Sequence, residues 1–286
     1  MAENSRIEWT DHTFNPWWGC TKVSPACDNC YAEAWAKRTG HSVWGAKSER
    51  RFLSEFYWKQ PLKWNREAAC KGVRKRVFCA SMADVFEWRG DLRPWREKLW
   101  DLIDQTPNLD WLLLTKRPHL VKRLAPWSGD WPDNVWLGTT LESQGFAKKR
   151  LPHLAANPAK VRFVSCEPLR SSLNIEPWLE SGDVDWVIAG GESGSGARPA
   201  EPNWFRDLQK QCSANSVPFH FKQWGDWAPL GAVECDRIPV CVDERSFSEA
   251  VGRFGKKISG RCLDGEYWDE LPGATIDQSK RLHAAL

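Results

Sequence analysis

The sequence predicts an α/β protein that folds as a full or partial (β/α) barrel with a small C-terminal extension. Six short apolar segments follow one another along the chain, and each ends in polar residues. Near-continuous apolar runs of this kind indicate strands that are buried on both faces, as in a parallel sheet. The segments begin about 25 to 35 residues apart, which is the length that a strand–helix unit needs. A doubly wound open sheet is the alternative, because one sequence does not reveal the order of its strands.

The elements follow in chain order. A first strand leads into a cysteine-containing loop, and the six apolar segments come after it at residues 76–81, 111–116, 135–140, 161–167, 186–192 and 218–223. Residues 94–103 between two of them show helical spacing, with a proline at the first turn. We expect the barrel to occupy residues 1–230. Residues 231–286 are shorter in pattern, richer in glycine and less apolar, which predicts an extension or cap that ends in a short helix at 278–286.

Three cysteines, Cys20, Cys27 and Cys30, lie in one short loop with the spacing C-x6-C-x2-C. A Cys-x-x-Cys pair lets two sulfurs converge on one centre, and the preceding loop can bring in the third. Three thiolates are one ligand short of a closed tetrahedral site. Three interpretations are therefore open: a [4Fe-4S] cluster with one iron left for an outside ligand, a zinc site completed by His12 or His41, or thiols without a metal.

Polar residues follow the predicted strands at the positions where (β/α) barrels carry out their chemistry. These residues are Ser81, Asp84, Thr115, Lys116, Thr139, Thr140, Glu142, Ser165, Glu167 and Glu192. Some of them would simply cap the helices that follow. Gly190 and Gly191 begin a glycine-rich turn that could approach a phosphate or an adenosine, or could merely be a way to leave a strand. Together the set suits a polar, zwitterionic ligand.

Composition indicates a soluble enzyme, and we expect it in a reducing cytoplasm. No apolar run approaches the length of a membrane span, and the N-terminus does not read as a signal peptide. The ten cysteines are too scattered along 286 residues for a secreted disulfide scaffold. The absence of Walker A, G-x-S-x-G and H-E-x-x-H patterns argues against nucleoside triphosphatase and hydrolase chemistry.

The charge is nearly balanced, at +3 from 40 basic and 37 acidic side chains, so net charge does not indicate a nucleic-acid partner. The twenty tryptophans and several local basic clusters are more informative. Most indoles are expected in the core, and most charge clusters are ordinary solvated surface. The hypothesis to be tested is a nucleic-acid docking surface formed by Trp44, Arg50, Arg51, Trp58, Lys71, Arg74 and Arg76.

The cysteine loop after the first strand, followed by strand–helix repeats, resembles the radical S-adenosylmethionine (SAM) superfamily, although the first spacing is longer than the common C-x3-C-x2-C. Residues 114–118 and 120–124 are similar to the third-strand region of spore photoproduct lyase-like members. The chain as a whole resembles a phage-associated three-cysteine-motif family. This resemblance covers roughly residues 7–230 and the segment 255–265.

The resemblance implies a radical SAM-type barrel in which Cys20, Cys27 and Cys30 ligate a [4Fe-4S] cluster that cleaves SAM reductively. It also implies an electron donor such as flavodoxin or ferredoxin and a nucleic-acid base, in DNA or RNA, as the substrate for modification or repair. The implied cofactor-binding residues are Ser81, Thr115, Lys116, Thr140, Glu142, Ser165, Glu167, Gly190, Gly191 and Glu192. The alternative is a non-enzymatic, zinc-stabilised protein that binds nucleic acid or takes part in phage–host interaction.

Overall fold

The computed structural model describes residues 3–233, 239, 241–243 and 248–273. Its strands are β1 (His12–Thr13), β2 (Trp17–Trp18), β3 (Arg51–Phe52), β4 (Lys75–Cys79), β5 (Leu109–Thr115), β6 (Val135–Thr140), β7 (Val161–Cys166), β8 (Trp186–Gly190), β9 (Phe219–Gln223), β10 (Trp227–Pro229), β11 (Val242–Asp243) and β12 (Val251–Arg253). Its helices are α1 (Tyr31–Arg38), α2 (Glu55–Trp58), α3 (Gln60–Cys70), α4 (Arg93–Asp104), α5 (Val121–Leu124), α6 (Gln144–Ala155), α7 (Glu176–Glu180), α8 (Pro202–Ala214) and α9 (Lys256–Ser259). The predicted 278–286 helix lies outside the described residues.

The main sheet has seven strands in the order β1-β4-β5-β6-β7-β8-β9, and its recorded strand pairings are parallel. Each strand neighbours the next sheet strand along the chain. A doubly wound sheet would instead reverse direction at a switch point. The order is therefore that of a partial (β/α) barrel, and the predicted α/β class is confirmed. All six predicted strands are present, with ends that differ by no more than about two residues.

The chain divides into two compact units, and the first comprises Met1–Thr139 with Pro152–Arg162. Its core is largely aromatic. The Phe14 ring contacts Trp58 edge-on, with centroids 5.2 Å apart, and Trp111 at 5.6 Å. Helix α4 begins with a proline in its first turn and buries Leu99 and Ile103, as its helical spacing predicted. The short strands β2 and β3 pair in antiparallel fashion, and the cysteine loop lies between them in the sequence.

The second unit comprises Thr140–Leu151 with Phe163–Leu286. It contains β8, β9 and α8, and it adds a small antiparallel sheet in the order β10-β12-β11. The backbone of residues 268–270 pairs with β9 through Phe221 N to Trp268 O at 2.9 Å and Glu270 N to Phe219 O at 3.3 Å, so it covers the edge of that strand. The antiparallel sheet begins slightly before residue 231. The division into a barrel over residues 1–230 and an extension or cap over 231–286 stays a prediction.

Tryptophan and cysteine fill much of the interior. The buried tryptophans are Trp9, Trp17, Trp18, Trp58, Trp64, Trp100, Trp111, Trp136, Trp186, Trp224 and Trp268. Cys79, Cys166 and Cys212 are buried and not disulfide-bonded, as expected for reduced thiols in a core. Among the described helices, none is both long and apolar enough to span a membrane.

Candidate functional site

The loop that carries Cys20 is fixed by a glycine. Gly19 has φ +113°, and a Cβ atom there would lie 2.3 Å from the Val43 carbonyl oxygen. Its N–H donates to the Met82 carbonyl at 3.0 Å, which ties this loop to the segment after β4. Only glycine fits such a close approach at this backbone angle. Gly19 therefore sets the position from which Cys20 projects.

Cys27 and Cys30 belong to the helical part of the same loop. Cys27 closes the short 3-10 helix Pro25–Cys27, and its N–H donates to Ser24 O at 2.9 Å. Cys30 is the N-cap residue of α1 and packs against the apolar cluster around Trp18 and Met82. All three thiols are partly buried and not disulfide-bonded. The positive end of α1 favours negative charge beside Cys30.

Arg117, directly after the Thr115–Lys116 pair that the sequence singled out, reaches the first cysteine. Its Nη1 lies 3.6 Å from Cys20 Sγ and 2.8 Å from Asp84 Oδ2, and its Nη2 donates to Thr21 O at 2.6 Å. Asp84 is held in turn, because its Oδ1 accepts from Thr115 Oγ1 at 2.8 Å. The charged side chains are about 7% exposed. The first cysteine is thus bound to the end of β5 through a buried ion pair.

A second buried pair extends this network. Arg50 donates from Nη2 to Glu87 Oε1 at 2.8 Å and from Nε to Glu87 Oε2 at 3.1 Å, a bidentate contact. Its Nη2 also contacts Thr21 Oγ1 at 3.1 Å. Arg117 Nη2 lies 3.9 Å from Glu87 Oε1, which joins the two pairs. We call Arg50, Asp84, Glu87 and Arg117 the buried network.

Burial governs ionisation at Cys20. Burial raises the pKa of the Cys20 thiol to about 12, and the nearby Asp84 carboxylate adds to this while Arg117 opposes it. Burial alone would lower the pKa of Arg117, but Asp84 and the Cys20 sulfur raise it above its usual value. Arg117 is therefore a permanent cation beside the sulfur. A metal that binds Cys20 must displace its proton.

The remaining predicted residues of the first unit lie at strand ends, as expected. Ser81 Oγ accepts from Asn15 Nδ2 at 3.0 Å, and the Ser81 carbonyl accepts from the Tyr31 hydroxyl at 2.9 Å. Thr115 is buried, and its hydroxyl donates to Asp84 Oδ1. The Lys116 N–H donates to Asp84 Oδ2 at 3.2 Å, and no partner of its ammonium is present among the described residues. Lys116 is the member of this group best placed to receive an outside anion.

In the second unit, Thr140 is the last residue of β6 and Glu142 follows it, and the two residues share one cation. Arg150 Nη1 donates to Thr140 O at 2.7 Å and also pairs with Glu142 Oε2. Glu142 is 1% exposed, and its Oε1 has no hydrogen-bond partner among the described residues. An unsatisfied buried carboxylate oxygen is costly. Glu142 is therefore suited to accept a hydrogen bond from a bound molecule.

Ser165 and Glu167 follow the pattern one strand further on. The buried Ser165 accepts the Leu141 N–H at its backbone carbonyl, 3.0 Å away. Glu167 is clamped by Lys222 Nζ at 2.8 Å and 2.7 Å to its two oxygens, and Gln223 Nε2 lies 3.1 Å from Oε1. This glutamate is partly exposed, so water or a ligand can reach it.

The glycine-rich turn after β8 has a structural role that the sequence did not reveal. A Cβ at Gly191 would lie 1.8 Å from the Trp224 carbonyl oxygen, and one at Gly190 would lie 3.5 Å from Glu167. Glycine is thus required at position 191, because the backbone of Trp224 passes too close for a side chain. Glu192 is buried and bound by Arg198 through Nε at 2.7 Å and Nη2 at 2.6 Å.

The predicted docking surface is wrong in part. Arg50 and Trp58 are 5% and 3% exposed, so they belong to the interior. Arg74 is paired with Asp110 at 2.6 Å, and Arg76 lies 3.5 Å from Asp11. The side chains of Arg74 and Arg76 are nevertheless 47% and 23% exposed, so their part in a docking surface stays a prediction. The error arose because a charge cluster in sequence does not reveal which members face inward.

The cysteine loop offers three thiols as possible metal ligands. Among the described residues, no group of three or more His, Cys, Asp or Glu is arranged to hold one metal ion. His12, proposed as a fourth zinc ligand, is buried and stacks on Trp64 with centroids 4.4 Å apart. A four-iron cluster holds its cysteines on different irons, so its thiols need not converge on one point. The three partly buried thiols are the type of ligand that such a cluster uses, and Arg117 contacts one of the sulfurs.

The strand order and the cysteine loop define an α/β protein of the (β/α)-barrel type. Within that class, a family model described as "Protein of unknown function (DUF5131)" matches residues 4–272, and the chain belongs to this family. A comparison with curated proteins finds none that matches significantly.

Among solved structures, the chain is similar to spore photoproduct lyase. A variant with bound AdoMet and dinucleoside spore photoproduct is 12% identical, with a TM-score of 0.46 over 88% of this chain and 70% of that one. The lyase complexed with dinucleoside spore photoproduct is 11% identical, with the same TM-score over 89% and 71%. The resemblance of this chain to spore photoproduct lyase-like members stays a prediction. Association with phages stays a prediction.

Proposed function

We propose that this protein is a radical SAM enzyme in which Cys20, Cys27 and Cys30 hold a [4Fe-4S] cluster. The observation that carries the proposal is the loop after β1, which presents three partly buried, unlinked thiols with an arginine at one sulfur. When bound, the cluster and SAM would supply reductive cleavage of the sulfonium and hydrogen abstraction from a substrate C–H bond.

The protein's own side chains would bind and orient the cofactor and the substrate. In the first unit, Lys116 offers a cation for a carboxylate group, and in the second unit, Glu142 offers a buried acceptor for a hydroxyl group. Eight further residues lie within two positions of the carboxyl end of a strand and stay proposed cofactor-binding residues. They are Ser81, Thr115, Thr140, Ser165, Glu167, Gly190, Gly191 and Glu192. The electron would come from a donor such as flavodoxin or ferredoxin.

Anaerobic purification tests this proposal directly. We expect brown protein with about four irons and four sulfides per chain, together with reductant-dependent formation of 5′-deoxyadenosine and methionine from SAM. Colourless protein with one zinc per chain would overturn the proposal and support the zinc-stabilised binding protein instead. Iron-loaded protein that does not cleave SAM would support the cluster assignment and contradict the proposed SAM cleavage.

For the substrate, we propose a base in DNA or RNA. Tyr31 and Trp35 are 59% and 48% exposed and lie four residues apart on α1, directly after Cys30. Residues at this spacing share one helix face. Trp88 is 53% exposed and carries the Arg123 guanidinium 3.9 Å from its ring centroid. Exposed aromatic faces and cations of this kind stack on bases and contact phosphates.

Binding of single-stranded and duplex DNA and RNA across a salt series tests the substrate class. We expect Trp35→Ala to weaken binding by about 1–3 kcal/mol, the usual worth of one stacked base, and affinity to fall steeply with salt. Phe56→Ala is the matched control, because Phe56 is 78% exposed on α2 and has no assigned role. Absent binding, or equal effects of the two variants, would reject a nucleic-acid substrate.

A further inference from the structure

We propose that Arg117 is a positioning residue for the cluster: its guanidinium clamps the Cys20 sulfur and makes the cluster easier to reduce. The inference rests on the proposed function, because it requires a cluster at Cys20. It assigns a role to Arg117, whereas only the neighbouring Lys116 was predicted from the sequence as a site residue.

The first part of the argument is the geometry of the clamp. Arg117 Nη1 contacts both Cys20 Sγ at 3.6 Å and Asp84 Oδ2 at 2.8 Å. An Nη atom carries two N–H groups, so it can donate to both acceptors at once. Nη2 donates to the carbonyl of the next residue, Thr21, at 2.6 Å. The sulfur and the backbone that follows it are therefore held by one rigid, planar group.

The second part is the restraint on Arg117 itself. Its backbone N–H donates to Thr115 Oγ1 at 2.9 Å, and the same hydroxyl donates to Asp84 Oδ1 at 2.8 Å. Asp84 Oδ1 also accepts the Phe86 N–H at 3.0 Å. Each group is fixed by at least two others. A lysine would supply a charge at this place without the fork that engages three acceptors.

The third part is the charge balance. Within the buried network two arginines balance two carboxylates, and the buried Arg96 beside it, which donates to the Val85 and Glu87 carbonyls, adds a further positive charge. A ligand sulfur that gains negative charge on reduction thus meets an N–H donor that is already oriented and shielded from water. Hydrogen bonds to ligand sulfurs are among the factors that set cluster potentials, and they favour the more negative, reduced state.

The test is a redox titration of the anaerobically prepared full chain, followed by electron paramagnetic resonance. We expect Arg117→Gln to shift the reduction equilibrium about tenfold toward the oxidised cluster, which is about 59 mV for one electron. Arg117→Lys should shift it less, because the charge remains. Lys122→Gln is the matched control, since it removes one exposed charge from the nearby helix α5, and its potential should equal that of the wild type.

Arg117→Gln leaves Asp84 without its cation, so the fold requires its own check. The double variant Arg117→Gln with Asp84→Asn removes both charges, so it should show a smaller shift in the same direction from the lost hydrogen bond, with an unchanged circular dichroism spectrum. Loss of iron from a variant with that native spectrum also supports the clamp. Wild-type potential and iron content in Arg117→Gln would overturn the inference. A wild-type protein without iron and sulfide would instead reject the proposed function on which the inference rests.

Discussion

The charged residues near the strand ends are paired in different ways in the two compact units. In the first unit, Arg50, Asp84, Glu87 and Arg117 share partners in one buried network that reaches a cysteine sulfur. In the second, the glutamates pair separately, in the ion pairs Glu142–Arg150, Glu167–Lys222 and Glu192–Arg198. A shared network resists displacement because moving one member breaks contacts to several others. A separate pair can exchange one contact for a ligand at less cost.

Under the proposed function, this difference would suit the two regions to different tasks. A site that holds a permanent metal group needs side chains that do not move, as in the buried network. A site that binds and releases a small molecule benefits from carboxylates with one spare oxygen or partial exposure. Glu142 has the first property and Glu167 the second. Substitutions in the two units should therefore have separable effects on cluster content, stability and ligand binding.

The largest effect is expected at the cysteines. Single changes of Cys20, Cys27 or Cys30 to Ala should abolish cluster loading and SAM cleavage together, because each would be the only protein ligand of one iron. Iron and sulfide analysis with measurement of 5′-deoxyadenosine formation checks this. Cys262→Ala is the matched control in the second unit, since Cys262 is also partly buried. A Cys27→Ala protein with full iron content and normal cleavage would contradict the ligand assignment.

The next largest effect concerns stability. Arg50→Met leaves Glu87 buried without its bidentate partner and should lower the free energy of unfolding by about 3–5 kcal/mol. Lys222→Met should cost only about 1.5–3 kcal/mol, because Glu167 keeps its contact with Gln223 and some access to water. Urea unfolding followed by circular dichroism measures both.

A control separates charge from packing in this comparison. The double variant Arg50→Met with Glu87→Met removes the charges in pairs and should regain most of the stability lost in Arg50→Met. Equal losses in Arg50→Met and Lys222→Met would show that the two units do not differ in the way described.

Most of the fold could be predicted from the sequence because buried parallel strands read as continuous apolar runs. The strand over 135–140 matches β6 at both ends, and the helix predicted at 94–103 is α4 with one further residue at each end. Strand order could not be predicted, since it depends on which strands pair in space. The short β1, only two residues long, was inferred from the loop that follows it.

The site was predictable in its positions and not in its contacts. Polar residues at strand ends were found where the strands end, but their partners come from distant parts of the chain. Arg50, which the sequence suggested as a phosphate contact, is instead bound to Glu87 across 37 positions. Arg117 was overlooked because nothing in the sequence shows that it reaches Cys20. Gly191 was interpreted as a ligand contact, although the backbone of Trp224 requires it.

A smaller effect is expected for ligand binding in the first unit. Lys116→Met should weaken SAM binding about tenfold, equivalent to about 1.4 kcal/mol, because it removes a cation for the methionine carboxylate and leaves the buried network intact. Equilibrium binding to the cluster-loaded protein measures this, with Lys122→Met as the control for general charge. Unchanged affinity in Lys116→Met would remove Lys116 from the proposed SAM site.

The smallest effect is expected at the opposite, amino end of the strands, where ion pairs are exposed. Asp11 Oδ2 accepts the Arg76 N–H and its Oδ1 accepts from Lys75 Nζ, each at 2.9 Å. Partial burial alone would raise the pKa of Asp11, but these hydrogen bonds outweigh it and lower the pKa. A carboxylate with a lowered folded pKa stabilises the fold fully above its unfolded value of about 3.9, and this contribution disappears as pH falls through the folded value. Asp11→Asn should therefore lower the free energy of unfolding by about 0.5–1 kcal/mol at pH 7 and by nothing near pH 2. Urea unfolding at several pH values tests this, with Asp130→Asn, at an exposed position, as a control that should change nothing. A loss that stays constant from pH 7 to pH 2 would show that Asp11 acts through its shape and not through its charge.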